Sequence, residues 1–526
     1  EIIDPDGKSI KYVYDSNGDL IEVIDRTNNT TQLVYDDPNR QHFLTEIIDP
    51  LGRSATRTEY DENGQISKII DANGNELNIA FDKATNSQTI RDPFGKTITR
   101  VFDAQGNVIQ EVDQLGGITL RTYDEDNNLL SETDPEGNIT SYTYDSRGNK
   151  LTETDGEGNK KTFTYNQSND ILTETTALGF VTTYTYDNNG NLTKRKDTEG
   201  NVTEYKYDSL GLLTTVTDAN GKISNFKYDN RGNLTELTDP TGAKTTFTYD
   251  SNGRVASVTD ALGAITNYIY DAQGRLIEKA DPEGSSCGCA RGITKTEYNA
   301  AGEKVAEIDA LGRRTEYRYN DRGLLIETIL PDSTPDNLSN NPRTKNEYDA
   351  LDRLTGFIDE LGRKTIYIYD ALGREIEVIY PDSTPDNLTD NPRTKKEYDK
   401  AGRKIAEIDE LGNRTEFNYD QADRLLTVTN ALNQITSYNY DADGRQIAMT
   451  DALGRITEYD YDELDRLLTT TYANNTVMTT TYDPLGRVIA ETDLAGNTTN
   501  YEYDALGRLT AVIDALNQRT EYKYDL

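Results

Sequence analysis

Apolar and polar residues alternate along this chain in short runs. In Thr140-Ser141-Tyr142-Thr143-Tyr144, the residues Thr140, Tyr142 and Tyr144 fall on one face of an extended strand. In Leu77-Asn78-Ile79-Ala80-Phe81 the apolar residues take that same face. β-Branched residues are frequent and no helical stripe is present, so the pattern predicts strands throughout. Each strand is bounded by a turn signal. One stretch reads Asp61-Glu62-Asn63-Gly64 and then Asp71-Ala72-Asn73-Gly74. Glycine supplies the positive φ of such turns, and the Asp side chain bonds the backbone two residues on. A second strand opens with an apolar residue two places after the glycine, as at Ile66, Val108, Leu234 and Leu276. The prediction is therefore antiparallel hairpins, two strands per repeat.

The repeat has a fixed length. An aromatic residue followed by Asp or Asn recurs every 21 residues from Tyr60 to Tyr270 and again from Tyr398 to Tyr524. Four steps are longer: Tyr35 to Tyr60, Tyr270 to Tyr298, Tyr319 to Tyr348, and Tyr369 to Tyr398. Their extra residues form inserted loops near 36–49, 281–293, 330–344 and 380–394. The last two carry nearly the same sequence, Pro331-Asp332-Ser333-Thr334-Pro335-Asp336-Asn337-Leu338 and Pro381-Asp382-Ser383-Thr384-Pro385-Asp386-Asn387-Leu388, which reads as a duplicated pair of repeats. Loops tolerate insertion and strands do not, so the insertions support the strand map. They are expected on the outer rim, as the variable surface. An internal period makes one continuous body, so residues 1–526 are read as a single array. The chain opens and stops within a repeat, and a segment of a larger protein is expected.

Charge narrows the partners. Asp and Glu number 92 against 55 Lys and Arg, a net charge of −37. Such a surface repels nucleic acid and anionic lipid. No run approaches the 18 or so apolar residues of a membrane helix. Low apolar content with high charge is also a signature of disorder, but 35 tyrosines and strict alternation oppose that reading.

The motif Tyr-x-Tyr-Asp-x-x-Gly-Arg-Leu followed by Asp-x-x-Gly resembles the YD repeat of the rearrangement-hotspot (Rhs) family. Tyr501-Glu502-Tyr503-Asp504-Ala505-Leu506-Gly507-Arg508-Leu509 carries it closely, and Tyr142 to Tyr144 with Asp145, Gly148 and Thr152 carries it again. The resemblance covers essentially the whole chain. Relatives include Rhs polymorphic toxins, cocoon subunits of insecticidal toxin complexes, and teneurins. It implies an all-β fold of tandem 21-residue repeats forming a long spiralling β-sheet, a hollow shell or tube. In the toxins the shell encloses a C-terminal toxic domain. The segment that closes the shell and self-cleaves in the toxins is not found here, nor is a toxin domain.

Candidate chemistry is sparse. His42 is the single histidine, beside the first irregular loop, and one histidine assembles neither a triad nor a multi-His metal site. Every repeat places an Asp at both turns, so no acid is set apart for acid–base work. Asp15-Ser16-Asn17-Gly18-Asp19 and Asp441-Ala442-Asp443-Gly444 resemble fragments of calcium loops, but no consistent bidentate acid follows. Cys287-Gly288-Cys289 could be a strained disulfide, half of a metal site or two free thiols, and an inert loop insertion is the favoured reading. Asn-x-Thr triplets such as Asn138-Ile139-Thr140 follow from the repeat itself. No catalytic, cofactor-binding or metal-binding residue is therefore assigned, and no cofactor is expected. The expected function is a non-enzymatic shell segment of a large secreted or surface-exposed protein. The alternative is a cell-surface adhesion or fibre module. Expected partners are the remainder of its own chain, an enclosed C-terminal domain, or a surface protein or glycan, with no nucleic acid and no membrane insertion.

Overall fold

A computed structural model describes residues 1–282, 292–332, 340–382 and 388–524. Cys287 and Cys289, and parts of the three later insertions, lie outside the described residues. Among the described residues there are 48 strands and no helix. The strands are short and alternate between six residues, as in Ile139–Tyr144, and five, as in Lys150–Thr154. Each described pairing is antiparallel and joins strands adjacent in sequence. The all-β reading, the repeat and the hairpin pattern all hold.

Every regular turn is built in one way. In Asp145–Asn149 the amide of Gly148 donates to the carbonyl of Asp145 at 3.1 Å, and the amide of Asp145 donates to the carbonyl of Asn149 at 2.9 Å. Oδ1 of Asp145 accepts the amides of Arg147 and Asn149. Gly148 has φ 83°, which is why this place takes Gly, Asn or Asp in nearly every turn. The carboxylate so engaged is held below the usual range, chiefly by the Asn149 side chain and then by amide donors. The turn Asp is thus consumed by its own loop.

The two turns of a repeat differ in the pairing of the strands they join. At a tyrosine turn the register slips: Thr143 pairs with Thr152 but Tyr144 pairs with Lys150, so Leu151 is bulged out. At the other turn, here called the plain turn, Thr154 pairs with Lys160 without a slip. The bulge recurs at the same place in the regular repeats and bends their hairpins in the same sense, with exceptions among the first repeats, where Ala80–Asp82 pairs with Ser87–Thr89 without a slip. Most strand residues are half-buried. The buried apolar set among the described residues is small, with Ile329, Ala306, Ala406 and Ala511 fully covered.

The strands gather into two compact units. One comprises Glu1–Ile118, Phe247–Lys396 and Asp409–Leu411, and the other Thr119–Thr246, Glu397–Ile408 and Gly412–Leu526.

Candidate functional site

Two features of the sheet carry its purpose: a lace that ties neighbouring tyrosine turns together, and a docking of turn upon turn within each unit.

The lace begins at the bulge. The strand Lys150–Thr154 pairs forward only through Thr152, Glu153 and Thr154. Lys150 and Leu151 face the far half of the next strand with no backbone pairing there. The hydroxyl of Tyr165 spans that gap and donates to the Lys150 carbonyl at 2.8 Å. The same bond recurs 21 residues at a time, for example Tyr207 to Leu192, Tyr228 to Leu213, Tyr440 to Leu425 and Tyr503 to Val488. The hydroxyl of the turn tyrosine is thus a backbone partner and not a group left to water. Loss of hydration pushes the pKa of these tyrosines up.

Arginine completes the lace in the later repeats. Arg445 donates from Nε to Oδ2 of its own turn residue Asp441 at 2.7 Å and from Nη1 to the carbonyl of Asp462, in the next tyrosine turn, at 2.8 Å. Its guanidinium lies 5.3 Å from the ring centroid of Tyr461. Arg424, Arg466 and Arg487 repeat the arrangement over Tyr440, Tyr482 and Tyr503. Along these repeats the row of turn tyrosines is thus an alternation of tyrosine and arginine, each contact a cation–π pair. In earlier repeats the place belongs to Asn128, Asn149, Asn191 or Asn233, whose amides close their own turn, and that of Asn149 also donates to Asn169 in the next tyrosine turn.

We expect Tyr207→Phe to destabilise the protein by about 1 kcal/mol, because a part-buried carbonyl loses its only described side-chain donor. Tyr207→Ser, which also removes the ring, should cost about 3 kcal/mol. Chemical denaturation of the two variants checks both values. A Tyr207→Phe variant as stable as the parent would show that the hydroxyl contributes nothing.

Docking joins distant repeats. In the second unit the plain turn of Asp155 meets the tyrosine turn of Asp420, where the amide of Gln421 donates to Oε1 of Glu157 at 2.8 Å. Lys400 donates likewise to Glu136 at 2.9 Å. Thr176 and the amide of Leu178 donate to Asp443, and Glu199 takes Arg466 at 2.7 Å. In the first unit Gln273 donates to Thr27 at 3.2 Å, Arg53 meets Glu303 at 3.0 Å, and Arg353 lies over Phe94. The interval is constant. The turn after the fifteenth strand, Lys150–Thr154, meets the turn after the thirty-eighth, Arg414–Tyr419. In the first unit the turn after the third strand, Leu20–Ile24, meets the turn after the twenty-sixth, Ile265–Tyr270. Both steps are twenty-three strands. Residue separation varies with the insertions, but the strand count does not.

All four insertions fall at turns outside the docked rows. The connection between Val34 and Glu46 follows a tyrosine turn of the early repeats, and the other three occupy plain turns of the later repeats. Docking uses the opposite choice, plain turns early and tyrosine turns late. Inserted residues in a docked turn would hold the rows apart, which is the physical reason for their distribution.

The residues weighed for chemistry take structural places. His42 lies in the first insertion, with φ 68° and Nδ1 2.7 Å from Oδ1 of Asp19. Oδ1 of Asp15 accepts the amides of Asn17 and Asp19. Asp441 is filled by the amides of Asp443 and Arg445 and by the Arg445 side chain. Among the described residues no three His, Cys, Asp or Glu side chains are grouped as a metal would require.

Comparison with known proteins matches these features. The family model described as teneurin YD-shell matches residues 3–113, 98–244, 150–289 and 217–384. That described as RHS repeat matches 398–435, 440–477, 482–519 and 503–526. No curated protein matches the chain. Among solved structures, the TcdB2-TccC3-Cdc42 crystal structure aligns with 98% of this chain and 35% of its own, at TM-score 0.65 and 16% identity. TcdB2-TccC3 aligns with 97% of this chain and 32% of its own, at TM-score 0.59 and 16% identity. The Photorhabdus luminescens Tc holotoxin pore carrying a TccC3 mutation aligns with 96% and 34%, at TM-score 0.57 and 15% identity. The chain therefore spans about a third of the length of these structures.

Proposed function

The chain belongs to the teneurin YD-shell family, with RHS repeats over its last part, and on that premise we propose that it is the wall of a hollow compartment. The segment is a structural shell component. The proposal is that the shell encloses another part of its own polypeptide, a C-terminal toxic domain in particular, and that the parent protein is secreted or surface-exposed. A scaffold without catalysis of its own fits turn carboxylates that are occupied by their own loops.

One observation carries the reading. Turns meet at a fixed interval of twenty-three strands in each unit. A sheet that curls by a constant amount per hairpin and meets itself at a constant interval winds as a helix. At roughly 4.8 Å per strand, one such interval is about 110 Å of sheet. One of the similar structures is a Tc holotoxin pore by name, which supports a toxin as the enclosed partner.

A second reading, an adhesion module, draws on the insertions. Kept out of the docked rows, they leave variable loops where a surface protein could be bound.

Small-angle scattering on the 526-residue chain tests the first reading. The expected pair-distance distribution is that of a hollow particle, with its maximum shifted to long distances. A profile of a solid globule or a thin rod would refute the compartment and leave the adhesion reading.

A further inference from the structure

We propose that a hollow on the later repeats, walled by Met449, Tyr472, Asn474 and Leu494, binds a neutral sugar ring. It has a volume of about 450 Å³, within the range of small-ligand sites. This inference is independent of the compartment reading.

The repeat makes the case, because it shows what each place normally holds. The chain has only two methionines, Met449 and Met478, and both lie here. Met449 lines the hollow, and Met478 lies 3.5 Å from the hydroxyl of Tyr472, which also lines it. At the place of Met478 the neighbouring repeats have Thr436, Thr457 and Thr499, and at the place of Met449 they have Val428, Thr470, Glu491 and Val512. Tyr472 stands where Asp451, Asp493 and Asp514 open their turns. Asn474 stands where Leu432, Leu453 and Leu516 project, each about three-quarters exposed, and the next repeat has Ala495 there, so this stretch of the row lacks the leucine twice in succession. Tyr472 and Met449 thus line one cavity, with Met478 against the Tyr472 hydroxyl just beside it, although the fold asks for none of the three. The turn itself is repaired locally: Oδ1 of Asn474 takes over from the missing Asp by accepting the amide of Thr476 at 3.1 Å and its hydroxyl at 2.7 Å.

The lining selects the ligand class. Met449, Ala473, Leu494 and the Tyr472 ring give an apolar wall with an aromatic platform. Methionine adapts its shape to what lies against it. Arg455 is neutralised by Asp451, with Nε 2.6 Å from Oδ2, so the hollow offers no net charge. A chain of net charge −37 also repels anions. The groups left to donate are the Asn474 amide nitrogen and Nη1 of Arg455, facing a ligand rich in oxygen acceptors. A pyranose has one C–H face for the ring and hydroxyls around its rim, and it is uncharged.

The two methionines are also the reporters. The intact chain, labelled with ¹³C-methyl methionine, is titrated with the methyl glycosides of glucose, galactose and N-acetylglucosamine at up to about 50 mM. Butanol is the apolar control. Saturable shifts of both methyl signals with at least one glycoside are expected. The variants Tyr472→Asp and Asn474→Leu restore the repeat and so should fold at least as well as the parent. Each should weaken the glycoside response by about tenfold or more. Three results would overturn the proposal: no shift with any glycoside, shifts with butanol alone, or glycoside shifts unchanged in both variants.

Discussion

Gly156→Val will force the docked turns of the second unit apart and unfold that unit several degrees earlier. A Cβ at Gly156 would stand 2.1 Å from the carbonyl oxygen of Gln421 and 2.8 Å from its carbon. Both atoms belong to backbone, which cannot swing aside as a side chain can. Other plain turns carry Pro135, Ala177 or Thr198 at this place, so the glycine is not a demand of the turn. It is a demand of the close approach, where the Gln421 amide is already held by Glu157. Relieving the clash means losing that bond and the contacts around it, a cost of about 3 kcal/mol or more. Ala515→Val, in an exposed and undocked plain turn, should stay within about 0.5 kcal/mol. Thermal unfolding followed by circular dichroism measures both. Indistinguishable transitions would mean that the docking adds no stability.

Raising the pH through 10 will unfold the chain in one steep step. The turn tyrosines have pKa values raised from an ordinary 10.0, chiefly by lost hydration, and their hydroxyl protons bond the neighbouring strand. Tyr501, bonded to Glu491, is pushed up to about 12. The folded state thus binds these protons more tightly than the unfolded chain. Their contribution is fully present below pH 10 and is lost as pH rises through the folded values. Many equivalent tyrosines titrate together, so the slope should correspond to several protons released per chain. On the acid side the sign is opposite. Turn carboxylates such as Asp145, Asp187 and Asp229 are lowered, so their contribution is present above an unfolded value of about 4 and is lost only as pH falls through the folded ones. A stability plateau between about pH 5 and 9 is expected. Tyrosinate absorbance at alkaline pH should rise together with loss of the strand signal. Tyrosines that titrate near pH 10 with the strand signal intact would show that the hydroxyl bonds are dispensable.

Much of this molecule is written locally. The alternation in Thr140–Tyr144 and the Asp-x-x-Gly turns determine strands, hairpins and their order, because strand pairing here joins only neighbours and each turn satisfies its own Asp and Gly. The 10- and 11-residue spacing of Asp61, Asp71 and Asp82 already contains the alternating short strands. The bulge at Leu151 is less legible, since a slipped residue leaves the same composition behind. The tyrosine hydroxyl is hidden for a related reason: its acceptor is a backbone carbonyl, which no side-chain pattern records.

The docking was decided by the tertiary structure alone. Glu157 meets Gln421, and Thr176 meets Asp443, across more than 260 residues. Each partner is an ordinary turn residue in a chain full of them. The pair is selected by the curl accumulated over twenty-three strands, a sum of small bends at every bulge that no single residue carries. Gly156 is a place where that sum left a mark in the sequence, because two backbones approach there too closely for a Cβ. The hollow beside Tyr472 is the complementary case. Its departures from the repeat are visible in the sequence, but only strand register brings Met449, Tyr472 and Met478 together across four neighbouring strands and a turn.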